Sequence, residues 1–212
     1  MTDDDFEVDR DYAALPPLSA EFYQGDTVEV ARRLLGTLLV RSSPDGLTAG
    51  RIVETEAYLA VDDSACHAAR GRTRSNAAMF GPAGRAYVYP IHSRWCFNVV
   101  TGLPDEGTAV LVRAIVPLAG EDLMRRRRKR EKRLELTRGP ARLCEALAIN
   151  RELDHWDLTL GEPLWIAAAE GPLPAEQLRV SPRIGVTSAA DLPLRFFLAG
   201  NPFVSGKRSG NV

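Results

Sequence analysis

The segment TLLVRSSPDGLTAGRIVETEAY (37–58) decides the fold. Two aliphatic and β-branched runs, residues 37–41 and 47–57, flank Ser43-Pro44-Asp45-Gly46. Proline presets one turn dihedral there and glycine tolerates a positive one, so the segment reads as an antiparallel hairpin. Upstream, Asp26-Thr27-Val28-Glu29 has the form of a capping box, and the helix it opens, over about 27–35, stops at Gly36. Downstream, DDSACHAARGRTRSNAAMFGPAG (62–84) is small, polar and glycine-containing, the composition of an irregular stretch of the kind that lines sites. RAYVYPI (85–91) and WCFNVV (95–100) are aromatic and β-branched, forming a second hairpin with His92-Ser93-Arg94 as a basic tip.

A strand follows over 108–116, then a helix starting near Gly120, then one opened by Gly139-Pro140 whose Leu143, Cys144, Leu147 and Ala148 share a face. Further strands are expected near 163–167, 182–187 and 193–199. Four to seven strands in hairpin order, two or three helices and no βαβ rhythm predict an α+β fold. It is a single domain with a curved antiparallel β-sheet flanked by helices and a protruding β-hairpin. Its expected bounds are 18–206, with 1–17 a flexible acidic arm and 207–212 a tail.

A chain of 212 residues with 45% hydrophobic content can build one core. The longest apolar runs, such as LLGTLLV (34–40), fall far short of the roughly 20 residues of a membrane span. The N-terminus MTDDDFEVDR is acidic and unlike a signal peptide, so a cytoplasmic protein is expected, nucleoid-associated if bacterial. Cys66, Cys96 and Cys144 lack a CxxC spacing and are expected as reduced thiols. Adjacent Cys66 and His67 have no second ligand cluster, so no metal is expected. Neither GxGxxG nor a Walker loop is present, so no nucleotide cofactor is expected.

The net charge of −1 hides an asymmetry. RRRRKREKR (125–133) sets eight basic side chains against one glutamate, on an otherwise acidic chain. Such a run is either a solvated face or a phosphate-binding patch.

Glu54 and Glu56 stand out within the second strand of the first hairpin. On a regular strand they share a face with Tyr58, their carboxylates roughly 7 Å apart. Two readings are open: both acids sit on the wet face of an edge strand, or both are buried with cations such as Arg51 or Arg113 as partners. A buried pair of this separation would also suit acid/base chemistry at an acetal carbon, so a sugar hydrolase is admissible. The surroundings favour another chemistry. Tyr58, Tyr87 and Tyr89 with His67 and His92 supply flat faces, and the basic run supplies phosphate affinity, a combination suited to base flipping.

RIVETEAYLAVDDSACHAA, AAMFGPAGRAYVYPIHSRWCFNVV, GTAVLVRAIVPLAG, RGPARLCEALAIN and LRFFLAGNPFVSG, in this order, resemble the alkyladenine (3-methyladenine) DNA glycosylase family over residues 18 to 206. The resemblance implies a cofactor-free, metal-free, monofunctional purine DNA glycosylase. It would remove alkylated purines (3-methyladenine, 7-methylguanine), and deaminated or etheno purines as further candidates, from double-stranded DNA, leaving an abasic site. By the same resemblance Glu56 is the water-activating acid, with Arg113 beneath it. Tyr58 is one wall of the base pocket, and Tyr89 the opposing aromatic wall. His67 stacks on and hydrogen-bonds the base, and Asn98 crowds an exocyclic amino group.

The hairpin tip carries no tyrosine, which many members have there as a minor-groove wedge. His92 is its nearest equivalent, with Ile91 or Arg94 as alternatives. Arg94, Arg142 and Arg125, Arg126, Arg127 and Arg128 are expected DNA contacts. Glu54 is expected as a structural ion-pair partner. No lysine lies in the matched pocket segments, so no lyase activity is expected. No oligomer signal appears, and a monomer is expected. A non-catalytic nucleic-acid-binding domain of the same fold is the competing reading.

Overall fold

The computed structural model describes residues 10–168 and 175–206, and its spine is the thirteen-residue strand β2 (Gly46–Tyr58). β2 pairs with β1 (Leu38–Ser43) through the expected turn, Ser43 opposite Gly46. The remaining strands are β3 (Ala86–Ile91), β4 (Arg94–Thr101), β5 (Thr108–Ala119), β6 (Leu164–Ala167), β7 (Leu178–Ser181) and β8 (Arg195–Leu198). All pairs are antiparallel, in the order β3-β4-β5-β2-β1-β6, with β8 joining β2 and β7 joining β8. The single-domain α+β architecture with an open antiparallel sheet is therefore as expected, but it has eight strands rather than four to seven.

At Glu54–Glu56 β2 lies between β5 and β8, so it is not an edge strand. This overturns the wet-face reading of the two glutamates. Registry between β2 and β5 slips twice in succession here, at Ile52/Glu54 and at Glu54/Thr55. The second slip leaves Arg113 of β5 as the extra residue between Val112 and Ala114. A bulge bends the strand and re-aims the side chain it frees, and Arg113 is turned onto the two glutamates.

Five short α-helices flank the sheet among the described residues: α1 (Ala20–Tyr23), α2 (Thr27–Arg33), α3 (Glu121–Arg128), α4 (Leu134–Thr137) and α5 (Pro140–Ala146). α2 starts as its sequence predicts, the Asp26 carboxylate accepting from the Glu29 amide at 2.9 Å. It packs on β2, where the Thr55 hydroxyl donates to the Ala31 carbonyl at 2.9 Å, so Thr55 faces the helix and its neighbours Glu54 and Glu56 face away. α5 opens with Pro140 in its first turn and packs Leu143, Cys144 and Leu147 against β4 and β5. Each such fully buried large aliphatic side chain contributes about 1.5–3 kcal/mol.

β4 pairs with β5 only from Asn98 to Thr101, so the outer part of the β3–β4 hairpin leaves the sheet and protrudes. His92 and Ser93 form its two-residue tip, both left-handed at φ 46° and 61°, and Arg94 already belongs to β4.

Two expectations need correction. Residues 10–17 are not a loose arm: Tyr12 is buried, Pro17 bridges to Ala167, and the Trp165 indole donates to the Leu15 carbonyl at 2.9 Å. Residues 182–187 form no strand. β7 ends at Ser181, just before Pro182, which has no amide hydrogen to give a sheet, and Gly185 takes a left-handed φ of 79°. The rest of the acidic arm, residues 1–9, and the tail 207–212 lie outside the described residues.

Candidate active site

Glu54 and Glu56 are both fully buried. Burying two carboxylates is costly unless cations and donors surround them, and here they do. Glu54 Oε1 accepts from Arg195 Nε at 2.6 Å and from the Ser205 hydroxyl at 2.9 Å, with Arg113 Nε at 3.5 Å. Its Oε2 accepts from the Ser205 amide at 2.7 Å. Glu56 Oε2 accepts from Arg113 Nη1 at 3.1 Å and from the Tyr58 hydroxyl at 3.0 Å, and its Oε1 from the Ile184 amide at 2.8 Å.

A carboxylate has about four acceptor positions. Each glutamate accepts three hydrogen bonds, leaving one position on Glu54 Oε2 and one on Glu56 Oε1. Burial alone would lower the pKa of Arg113, but Glu56 and Glu54 outweigh it and hold the guanidinium charged. Burial first, and then the Glu56 charge, push the Tyr58 phenol well above its ordinary value, so it stays a hydrogen-bond donor.

The three donors to Glu56 also line a cleft of about 760 Å³, to which Tyr58, Ile184 and Arg113 contribute alongside His67, Tyr87 and Tyr89. An inner recess of about 20 Å³ shares Tyr58, His67, Tyr87 and Tyr89 with the cleft and adds Asn98. His67 meets Tyr89 edge-to-face with ring centroids 4.6 Å apart, and Tyr87 lies 5.3 Å from Tyr89. His67 Nδ1 is paired with the Tyr87 hydroxyl at 2.8 Å, which leaves Nε2 for a ligand. Packing of the ring against its aromatic neighbours, with help from the Arg70 cation, lowers the imidazole pKa. Asn98 Nδ2 donates to the Tyr87 carbonyl at 3.1 Å, fixing the amide at the end of the recess.

Tyr58, His67 and Tyr89 line both the cleft and the recess, Arg113 lines the cleft and Asn98 the recess, and Glu56 is fully buried behind its donors Tyr58, Arg113 and Ile184. Cys66 and His67 diverge, the thiol towards the Gly107 carbonyl and the imidazole towards Tyr87. Burial pushes the Cys66 thiol up to about 11, the form of an unreactive packing residue.

The basic segment is largely tied to the protein itself. Arg125 binds Glu121 and Asp122. Arg127 donates to the Ala146 carbonyl and the Ser43 hydroxyl, and Arg128 to Glu145 and the Glu135 carbonyl. Only Arg126 of the four has no such partner among the described residues. Arg125, Arg127 and Arg128 thus help hold α3 to its surroundings. Arg94 at the hairpin tip pairs with Glu145 at 3.2 Å, and His92 is exposed.

Free cations lie instead at the cleft. Arg70 and Arg151 line it, Arg74 is exposed next to the lining residue Ser75, and Arg142 is exposed in the first turn of α5, whose Pro140 lines the cleft. None of the four has a carboxylate partner among the described residues.

Sequence reasoning missed Ile184, Ser205 and Arg195, which reach the glutamates from 128 to 151 residues away. It also missed Arg183, which joins Asp63 across 120 residues, and the cleft cations Arg70 and Arg151. Nothing local marks the long-range partners, whereas GRTR (71–74) carried a local basic signal.

The sequence profile of the methylpurine-DNA glycosylase family matches residues 21–202. A protein of Methanoculleus marisnigri is 50% identical over 191 residues, covering 89% of this chain and 98% of its own. One from Koribacter versatilis is 45% identical over 200 residues (92% and 96%), and one from Carboxydothermus hydrogenoformans 46% over 191 residues (90% and 99%). All three bear the provisional name 3-methyladenine DNA glycosylase.

Proposed function

The chain belongs to the methylpurine-DNA glycosylase family, enzymes acting on N-glycosyl bonds in DNA, and on that premise we propose that it is a monofunctional, monomeric glycosylase. It draws alkylated purines out of duplex DNA and hydrolyses their bond to deoxyribose, leaving an abasic site. The observation that carries this reading is the placement of the two buried acids: the donors to Glu56, from Tyr58, Arg113 and Ile184, line an aromatic cleft, whereas Arg195 and Ser205, which hold Glu54, do not.

In this mechanism the flipped purine stacks on Tyr58, with His67 and Tyr89 as the facing wall. A purine is far larger than the 20 Å³ recess, so the base enters from the 760 Å³ cleft and reaches towards Asn98. The amide there crowds an exocyclic amino group and disfavours unmodified guanine. As the bond to C1′ lengthens, positive charge grows on the sugar, and the Glu56 carboxylate stabilises it while taking a proton from the attacking water. Arg113, Tyr58 and the Ile184 amide hold that carboxylate in one orientation. Purines alkylated at N3 or N7 already carry positive charge and leave without protonation. Hypoxanthine and etheno adducts, which are neutral, need a proton donor, and excision of them is correspondingly slower.

Arg70 and Arg151 in the cleft, together with the exposed Arg74 and Arg142, supply the phosphate contacts, with His92 at the hairpin tip as the wedge. A sugar-hydrolase mechanism needs two working carboxylates at the cleft, and Arg195 and Ser205, which hold Glu54, are not part of its lining.

The test is a panel of duplexes containing 7-methylguanine, 3-methyladenine, hypoxanthine or ethenoadenine, assayed with wild type and Glu56→Gln. Release of alkylated purines by wild type alone supports the reading, and no release of any base by wild type refutes it.

A further inference from the structure

A second buried ion pair lies outside the Glu54–Arg113–Glu56 group. Arg183 Nη1 meets Asp63 Oδ2, and its Nη2 meets Asp63 Oδ1, both at 2.6 Å, with both side chains fully buried. Arg183 Nη1 also donates to the Ala57 carbonyl at 3.0 Å, between Glu56 and Tyr58. Its guanidinium lies 4.5 Å from the centroid of the Tyr58 ring. Tyr58 lines the cleft and Arg183 does not, so the cation covers the ring face turned away from the cleft. Asp63 in turn accepts from the Leu59 amide at 3.0 Å and the Ala65 amide at 3.2 Å, fixing the loop that leads to His67. The residue after Arg183 is Ile184, whose amide caps Glu56 Oε1.

We infer that Arg183 and Asp63 are positioning residues for base excision, one bidentate contact setting the Ile184 amide, the Tyr58 ring and the approach to His67 relative to Glu56. The inference rests on the glycosylase reading above. A buried salt bridge adds little net stability over an apolar pair of similar volume, so stability alone does not account for this one. What a planar fork on a carboxylate does supply is fixed geometry, and it is supplied here to three parts of the site at once. A misplacement of roughly 1 Å at such a site costs about 100-fold in rate. Burial opposes ionisation of Asp63, but the Arg183 and Leu59 donors outweigh it and keep the carboxylate charged.

Two variants test this. Asp63→Leu/Arg183→Met removes both charges together and strands neither, and Arg183→Lys keeps the charge but loses the fork. Single-turnover release of 7-methylguanine is measured beside the Kd for a duplex carrying a tetrahydrofuran abasic-site analogue. The expected result, in whichever variants fold, is release slowed ~30-fold or more with Kd within threefold of wild type. Release within threefold of wild type in a folded variant overturns the inference, as does a parallel loss of rate and affinity. If the double variant does not fold, Arg183→Lys decides on the same criteria. Wild type is the control: if it releases no base, the glycosylase reading fails rather than the positioning role.

Discussion

Arg113 stands between Glu54 and Glu56, its Nε 3.5 Å from one carboxylate and its Nη1 3.1 Å from the other, yet the acids it joins are not equivalent. Glu56→Gln keeps the shape of the site and most of its hydrogen bonds but removes the base. It is expected to slow excision by at least about 10²–10⁴-fold with DNA affinity nearly unchanged. Glu54→Gln leaves Arg195 without its buried counter-charge and is expected to cost about 3–5 kcal/mol of stability. Single-turnover assays paired with thermal denaturation separate the two. A large rate loss in Glu54→Gln at unchanged stability would reverse the assignment.

The cleft cations and the α3 arginines are expected to differ in kind. Arg142→Ser and Arg151→Ser should each reduce the slope of log affinity against log salt by about 0.9, the loss of one phosphate contact. Arg128→Ser breaks contacts to Glu145 and the Glu135 carbonyl, so it should lower stability by about 1–3 kcal/mol and leave the slope unchanged. Fluorescence anisotropy over a salt series, with denaturation curves alongside, measures both effects.

His67 gives a pH dependence whose sign follows from its depressed pKa. The unfolded chain titrates this histidine near the ordinary 6.5, the folded protein only at lower pH. Between those two values the unfolded state binds more protons, so stability falls as pH drops below about 6.5. Urea midpoints of wild type are expected to fall more between pH 7.5 and 5.5 than those of His67→Phe. Arg70→Ala removes a nearby positive charge and should move the His67 imidazole resonance midpoint upward in an NMR titration.

The hairpin tip places His92 and Ser93 in left-handed backbone, where residues other than glycine or asparagine are strained. Asn-Gly is the preferred pair for such a two-residue turn. His92→Asn/Ser93→Gly is expected to raise stability by about 1 kcal/mol, or about 2–4 °C in melting temperature. Loss of the His92 ring should also weaken base extrusion, read as reduced fluorescence change of 2-aminopurine placed beside a lesion.

The parts of this molecule readable from sequence are those encoded over a few residues. VETEAY put Glu54, Glu56 and Tyr58 on one face through strand alternation, the family resemblance singled out Glu56, SPDG announced the first turn, and Asp26 with Glu29 announced α2. The burial of the glutamates was not local information. It depends on β8 arriving beside β2 from 141 residues away, which no pattern within 53–58 reports. The partners of the basic run were hidden for a related reason. Charge counts along a chain do not show which arginines find carbonyls and carboxylates in three dimensions, and Arg127 and Arg128 found both. The expected strand at 182–187 failed because its work is done by single groups, Arg183 on Asp63 and the Ile184 amide on Glu56, held in an irregular loop.

The donors that satisfy the two buried acids come from the far end of the chain, at Ile184, Arg195 and Ser205. In the order of synthesis, the ribosome makes these donors 128 to 151 residues after the acids they serve. A nascent chain that has emerged only as far as β6 carries two carboxylates whose strand cannot close over them. The two acids gain their full set of donors only when the segment from Ile184 to Ser205 docks on β2. A truncation within that stretch would cost both the repair activity and the reason the central strand can be buried at all.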